Sequence, residues 1–211
     1  MADIYSVWDK LANKYDRLWV QKYSLTPTRS RVKQIISDHF NAGEFTLIDL
    51  GCGTGQFLSE LRESSLNCRL IGIDKSPDMI KQANSREKDI DFMCLDIDKE
   101  ELTQRFTAGS IDAVVCCHSF PYYKNKANVL MKLHTLLKAN GIVIFVQASV
   151  NNIYDKVVLQ VIEATAEKAD YLSRKAFRLL TEECFKTTDE FTIHERFFMP
   201  SICGVILRKR L

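Results

Sequence analysis

Apolar residues at Ile4, Val7, Trp8, Leu11, Tyr15 and Leu18 recur every three or four positions and predict an amphipathic helix over 4–19. Thr26-Pro27 reads as N-cap and first-turn proline of a second helix running to Phe40. The period then changes. Residues 45–50 (FTLIDL) form a short apolar run without alternation, as in a strand buried on both faces, and lead into the glycine cluster 51–55 (GCGTG). A helix over 56–63, a strand over 69–74 and a helix over 78–85 capped by Ser76-Pro77 follow. Strands at 90–95 and 111–117, a helix over 126–138 ending before Gly141, and a strand at 142–147 complete the cycle. Five strands joined by crossovers predict a parallel sheet, because parallel neighbours need a crossover and its hand is fixed. Beyond them, 151–177 reads as helical with scattered aromatics and 181–186 as a short helix. Residues 191–198 and 202–209 read as an antiparallel hairpin turning at Pro200-Ser201.

Composition narrows the setting. With 211 residues the chain can bury roughly 70% of its unfolded surface, so it needs neither disulfide nor metal to fold. Hydrophobic residues make up 46% and charged residues 27%, with a net charge of +2 that advertises neither a nucleic-acid nor a polyanion partner. Arg208-Lys209-Arg210 reads as a solvated strand end. The seven cysteines include the adjacent pair Cys116-Cys117 and no CxxC, which predicts reduced thiols in a cytoplasmic protein. His39, His118, His134 and His194 match no metal-ligand spacing, so no metal is expected. No stretch approaches the roughly 18 apolar residues of a membrane helix. Oligomeric state stays open, since a core face and an interface face look alike in sequence.

A glycine-rich turn after the first strand sets backbone N–H groups beside a ligand and admits it where a Cβ would collide. The dinucleotide pattern G-x-G-x-x-G would need glycine at 56, and Gln56 stands there. Asp49, just before the turn, suits a ligand ammonium and repels a pyrophosphate. LIDLGCGTGQFLSEL, IGIDKSPDMIKQA, DFMCLDID and the segment from Phe120 to Phe145 together resemble the motifs of class I S-adenosylmethionine-dependent methyltransferases, in order over 45–147. The nearest flavour is the small-molecule group of ubiquinone/menaquinone-biosynthesis methyltransferases, whose N-terminal Tyr-Asp is matched by Tyr15-Asp16. The expected fold class is therefore α/β: a doubly wound Rossmann-like sheet of five parallel strands plus a C-terminal antiparallel hairpin, helices on both faces. One domain over 1–211 is expected, with a helical cap (1–43), a cofactor-binding core (44–148), a helical lid insert (149–180) and an edge helix with hairpin (181–211).

The resemblance implies S-adenosyl-L-methionine as cofactor, with Asp49 under its methionyl end and the backbone of Gly51, Cys52 and Gly53 lining that end. Asp74 would accept the ribose hydroxyls, since two carboxylate oxygens suit a cis-diol. Lys75 and Met79 would flank the adenine, Asp96 take its amino group and the Ile97 N–H a ring nitrogen. Cys117 would offer a carbonyl to the methionyl amine, and Tyr15 would cover the cofactor. Methyl transfer is an in-line displacement that needs mainly alignment. A small-molecule acceptor is expected above the fourth and fifth strands, facing His118, a candidate base, with Trp8, Tyr122 and Tyr154 as substrate-binding aromatics. Tyr5, Tyr171 and Phe177 would join the lid, which excludes water when closed. Ser119-Phe120-Pro121-Tyr122 loosely matches the motif of amino-methylating nucleic-acid enzymes, but it starts two positions late, and no nucleic-acid partner is expected. An NAD(P)-binding oxidoreductase and a non-catalytic cofactor-binding protein of the same fold are the alternatives.

Overall fold

The computed structural model describes residues 7–40, 43–64, 66–163, 169–193 and 200–210, without the side chains of 161–163. Ile4, Tyr5 and the hairpin residues 194–198 lie outside that description. The N-terminal part carries α1 (Val7–Leu11) and α2 (Thr26–His39). The core follows as β1 (Phe45–Leu50), α3 (Gln56–Arg62), β2 (Cys68–Asp74), α4 (Pro77–Arg86), β3 (Asp91–Cys94) and β4 (Ile111–Cys117). After these come α5 (Lys126–Leu136), β5 (Leu137–Ala148), α6 (Ile153–Glu163), α7 (Arg174–Thr181), β6 (Phe185–Ile193) and β7 (Ile202–Lys209).

The strands form one sheet in the order β3-β2-β1-β4-β5-β7-β6. β1 to β5 run parallel, and β7 and β6 add antiparallel to β5. Alternate residues of the central strands enter two separate apolar layers. Leu47, Val115 and Ile144 pack with Val32 and Ile36 of α2, Leu58 and Leu61 of α3, and Ile80 of α4. Ile48, Val114 and Phe145 pack on the other face with Leu130 and Leu133 of α5 and Phe177 of α7. Covered on both sides, β1 and β4 read as continuous apolar runs, and each fully buried side chain contributes about 1.5–3 kcal/mol. From β1 the chain moves outward through β2 to β3; it then returns to β4 on the other side of β1 and moves to β5. That reversal opens a crevice beyond the C-terminal ends of β1 and β4.

Several expectations need correction, among them the helix over 151–177, which is non-helical at 169–173 before α7 begins at Arg174. The predicted helix over 4–19 breaks after Leu11 and resumes only as a single 3-10 turn at Tyr15–Arg17. At the turn the Tyr15 carbonyl accepts from Leu18 N–H at 3.1 Å and from Gln21 Nε2 at 3.2 Å. Thr26 is not an N-cap: a wide π-type turn at Gln21–Leu25 feeds α2 directly, and the cap position falls to Leu25 without a side-chain bond. Residues 181–186 do not form a helix: α7 ends at Thr181 and β6 starts at Phe185. Strand pairing from Phe185↔Lys209 to Ile193↔Ile202, with Phe185 only 1% exposed, outweighs local helix tendency. Ser76 does cap α4, its Oγ accepting from Met79 N–H at 3.2 Å. In the insert, Asp155 fixes the start of α6 by accepting the N–H groups of Asn151 (3.1 Å) and Ser201 (2.9 Å). Phe177 of α7 packs edge-on against Phe120 and Phe145, so this part of the insert is core. Among the described residues no helix is long and apolar enough to cross a membrane.

Candidate functional site at the sheet crevice

The glycine turn is fixed by main-chain bonds before any ligand is considered. Gly51 and Cys52 N–H both donate to the Ile73 carbonyl at 2.7 and 3.0 Å, tying the turn to the end of β2. Gly51 has φ +78, and a Cβ there would sit 2.3 Å from Ser119 Cβ. Only glycine fits both the left-handed backbone and that approach. At the end of β2, Asp74 accepts Gly53 N–H on one oxygen and Ser76 N–H on the other, each at 2.9 Å. Burial raises the Asp74 pKa, and these two amides pull it back. Asp49 is 3% exposed, and burial together with the Asp74 charge pushes its carboxyl up to about 7, with Arg29 opposing.

The loop after β3 forms the next wall. Asp96 Oδ1 accepts Asp98 N–H (3.2 Å), Asp96 Oδ2 meets Lys99 Nζ (3.0 Å), and Glu100 accepts Asp96 N–H (3.1 Å). Asp98 receives the N–H groups of Lys124 and Asn125 at 3.0 Å each, linking this loop to the segment after β4. Buried Lys132 donates to the Ile97 and Glu100 carbonyls at 2.9 and 2.8 Å, so the loop is held from beneath.

At the other end β4 runs into His118, whose φ of +60 is rare for a residue with a side chain. Its N–H donates to the Val146 carbonyl at 2.7 Å, and its Nε2 pairs with Thr28 Oγ1 at 3.0 Å. Burial lowers the imidazole pKa to about 4, so the ring is neutral at physiological pH. Ser119 Oγ donates to the Leu50 carbonyl (2.7 Å) and accepts from the Tyr123 hydroxyl (3.1 Å). Above them the Trp8 ring stands edge-on to Tyr122 (5.1 Å between centroids) and to Tyr15 (6.3 Å). The N-terminal segment is latched over the glycine turn by Asp16, which accepts from Thr54 Oγ1 at 2.6 Å and pairs with Arg86. The Ser76 hydroxyl donates to Asp9, docking α1 at the head of α4.

These parts enclose a cleft of about 730 Å³. Trp8, Tyr15, Gly51, Gly53, Asp74, Lys75, Met79, Asp96, Ile97, Cys117, His118 and Tyr122 all border it. Asp49 and Cys52 lie beneath the turn, outside the lining, with Cys52 packed toward Gly72. Tyr154 is not brought to the cleft: Ile153, Tyr154 and Val157 form the outward side of α6 and are 84%, 46% and 54% exposed. Asp155 and Leu159 take the inward positions of that helix instead. Sequence reasoning missed Thr28, Thr54, Arg86, Asp98 and Lys132, which join segments far apart in the chain and leave no short-range signal. Ser119 falls within the stretch after the fourth strand that the sequence points to, but nothing local signals its bonds to Leu50 and Tyr123.

A glycine turn at the reversal point of a doubly wound sheet, a carboxylate ending the second strand and an acidic loop after the third define a Rossmann-like site for a nucleoside-bearing cofactor. The family model described as "Methyltransferase domain" matches residues 42–192, and the chain belongs to that family. A malonyl-[acyl-carrier protein] O-methyltransferase of Acetivibrio thermocellus is 33% identical over 101 residues, 47% of this chain and 34% of that protein. The demethylmenaquinone methyltransferase of Thermotoga maritima is 27% identical over 137 residues, 64% of this chain and 57% of its own length. The chain thus spans about a third to just over half of the curated relatives it matches. The structure of N-methyltransferase NodS from Bradyrhizobium japonicum in complex with S-adenosyl-L-homocysteine superposes with a TM-score of 0.70 at 16% identity. That likeness covers 96% of each chain and shows a shared fold.

Proposed function

We propose that this chain binds S-adenosylmethionine in the cleft and transfers its methyl group to a small-molecule acceptor. The observation that carries this reading is the pair of buried carboxylates, Asp49 and Asp74, on either side of the glycine turn. A ligand ammonium near Asp49 would relieve both its burial and the repulsion from Asp74. The N–H groups of Gly51 and Cys52 are already given to the Ile73 carbonyl and that of Gly53 to Asp74, so these amides are not free to cradle a pyrophosphate, which disfavours a dinucleotide. NodS, of the same fold, holds S-adenosyl-L-homocysteine, and the donor and acceptor set here fits that ligand.

When bound, S-adenosylmethionine supplies a methyl group on a sulfonium, already activated for displacement. The chain's own residues do the rest. Asp74 takes the ribose hydroxyls, Asp96 and the Ile97 N–H read the adenine edge, and Met79 and Lys75 flank the ring. Gly51 and Gly53 admit the methionyl end by close backbone approach, the Cys117 carbonyl faces its amine, and Asp49 acts on that amine through its charge from beneath the turn. Tyr15, latched through Asp16, covers the ligand and excludes water. Trp8 and Tyr122 meet the acceptor. His118 serves here as a neutral wall rather than as a base, because a group with pKa about 4 is a weak proton acceptor near neutrality.

Calorimetric titration with S-adenosylmethionine, S-adenosylhomocysteine and NADH tests the reading, alongside Asp74→Asn. The first two should bind, and the variant should bind them about 100-fold more weakly, the effect of losing roughly 3 kcal/mol of charge-assisted hydrogen bonds. Binding of NADH alone would sink the proposal.

A further inference from the structure

The end of the cleft where the acceptor would lie differs in chemistry from the rest. Its roof is aromatic: Trp8 stands edge-on to Tyr15 and Tyr122, and the Tyr122 hydroxyl reaches that of Tyr171 at 3.4 Å. Its floor is His118, Ser119 and Tyr123, whose imidazole Nε2 and two hydroxyls already serve other groups. His118 Nε2 pairs with Thr28, Ser119 donates to Leu50 O, and the Tyr123 hydroxyl donates to Ser119. Burial keeps the imidazole neutral and pushes the Tyr123 hydroxyl up, so neither group is fitted to take a proton from an acceptor. Among the described residues, Asp74 at the end of β2 and Lys75, Asp96, Asp98, Lys99 and Glu100 of the loops after β2 and β3 line the rest of the cleft. Two further charges line it: Asp9, which is held by Ser76, and Lys124, which follows Tyr123.

We propose that the acceptor is a small uncharged N-heteroaromatic ring, methylated on a ring nitrogen whose lone pair is free at neutral pH. The proposal rests on the methyl-transfer reading above and specifies its substrate. In the step, the ring-nitrogen lone pair forms the new N–C bond. The S–C bond breaks and its electron pair stays on sulfur, giving S-adenosylhomocysteine and an N-methylated ring cation. No proton leaves, so no base is needed. The positive charge moves from sulfur to the acceptor ring, beside the aromatic rings of Trp8 and Tyr122, which favour a cation over an anion. A carboxylate or phenolate would instead lose its water among apolar aromatic rings. An aliphatic amine is protonated near neutrality and offers no lone pair.

The test uses the full chain with Trp19→Phe; Trp19 is 59% exposed and lies outside the cleft lining, so Trp8 becomes the remaining tryptophan. With S-adenosylhomocysteine present, quinoline and 4-methylpyridine should quench Trp8 fluorescence with Kd about tenfold or more below those of benzoate and benzylamine. With S-adenosylmethionine near pH 8, mass spectrometry should find the N-methylated rings, formed faster than any product from benzoate, benzylamine or 1-naphthol. In the parent sequence, Trp8→Leu should raise the KM for quinoline about tenfold while leaving the calorimetric affinity for S-adenosylhomocysteine unchanged. Faster methylation of benzoate, benzylamine or 1-naphthol overturns the proposal and leaves methyl transfer standing. So does the absence of quenching and product from both rings while S-adenosylhomocysteine binds. Failure of S-adenosylhomocysteine to bind removes the methyl-transfer reading and this proposal with it.

Discussion

At the nucleotide end of the cleft, the ligand-facing surface is main chain and carboxylate, contributed by consecutive strand ends and braced by short hydrogen bonds. At the acceptor end, it is side chains carried by three separate segments: α1, the turn at Tyr15–Arg17, and the stretch after β4. The first surface is built from backbone geometry, which tolerates few changes and suits one unvarying ligand. The second is built from rings whose size and polarity can change without disturbing a strand. One fold can thus keep a cofactor constant while exchanging acceptors, because the two tasks sit on parts of the chain with different freedom.

The sharpest way to break the nucleotide end is Gly51→Ala. The new Cβ would meet Ser119 Cβ at 2.3 Å and force a side chain into φ +78. Strain and overpacking together predict a loss of about 3 kcal/mol in urea unfolding and no measurable cofactor binding. Ser119→Gly removes the clash but also the Ser119 bonds to the Leu50 carbonyl and the Tyr123 hydroxyl, so it serves as its own reference: in that background Gly51→Ala should cost only the left-handed backbone term of about 1 kcal/mol. If Gly51→Ala costs as much there as in the wild type, the turn is held by something other than the close packing of Gly51 on Ser119.

A smaller effect separates binding from stability at the same end. Asp49 titrates near 7 in the folded chain, above the ordinary carboxylate value of about 4. Between those values the folded state keeps a proton that the unfolded chain has lost, so stability falls as pH rises through this window and levels off above it. Asp49→Asn removes that loss. The variant's cofactor-free midpoint should match the wild type near pH 4 and exceed it by about 3 °C or more near pH 8, as about 1 kcal/mol or more gives in a domain this size. Its affinity for S-adenosylmethionine should fall about tenfold, because the ligand ammonium loses a charged partner. A variant that loses both stability and affinity would place Asp49 in the core rather than under the cofactor.

How much of this was legible beforehand follows the same division. The glycine turn, Asp74, the Ser76 cap and the strand Ile111–Cys117 were readable because each is a run of neighbours with one structural meaning. The N-terminal helix was overextended because Trp8 and Tyr15 keep helical spacing yet face the cleft from separate turns. Nothing local shows where such a stripe breaks. β6 was begun too late because its start depends on β7, more than twenty residues on in the chain. The aromatics of the expected lid insert assign Tyr154 to the site, whereas the phase of α6 is set by Asp155 accepting from Ser201 N–H. The Thr28–His118 bond spans ninety positions and carries no short-range trace.

The smallest expected effect on rate concerns His118, and it decides whether the acceptor end does chemistry or only shapes the pocket. Its folded pKa of about 4 lies below the ordinary value of about 6.5. The folded state therefore binds fewer protons than the unfolded chain between those values, and the stability His118 contributes is present above about 6.5 and lost as pH falls toward 4. Asn is the replacement of choice, since it tolerates the left-handed backbone found at this position. His118→Asn leaves Thr28 Oγ1 buried with a poorer partner, which costs about 1–3 kcal/mol of stability near neutral pH and less near pH 4. The kcat of methyl transfer should change by less than about threefold, and the pH–rate profile should keep its shape between about 5 and 8, because no proton passes through the ring. A drop in kcat of about a hundredfold or more across that range would instead make His118 the proton acceptor. The acceptor would then have to be a group that arrives protonated.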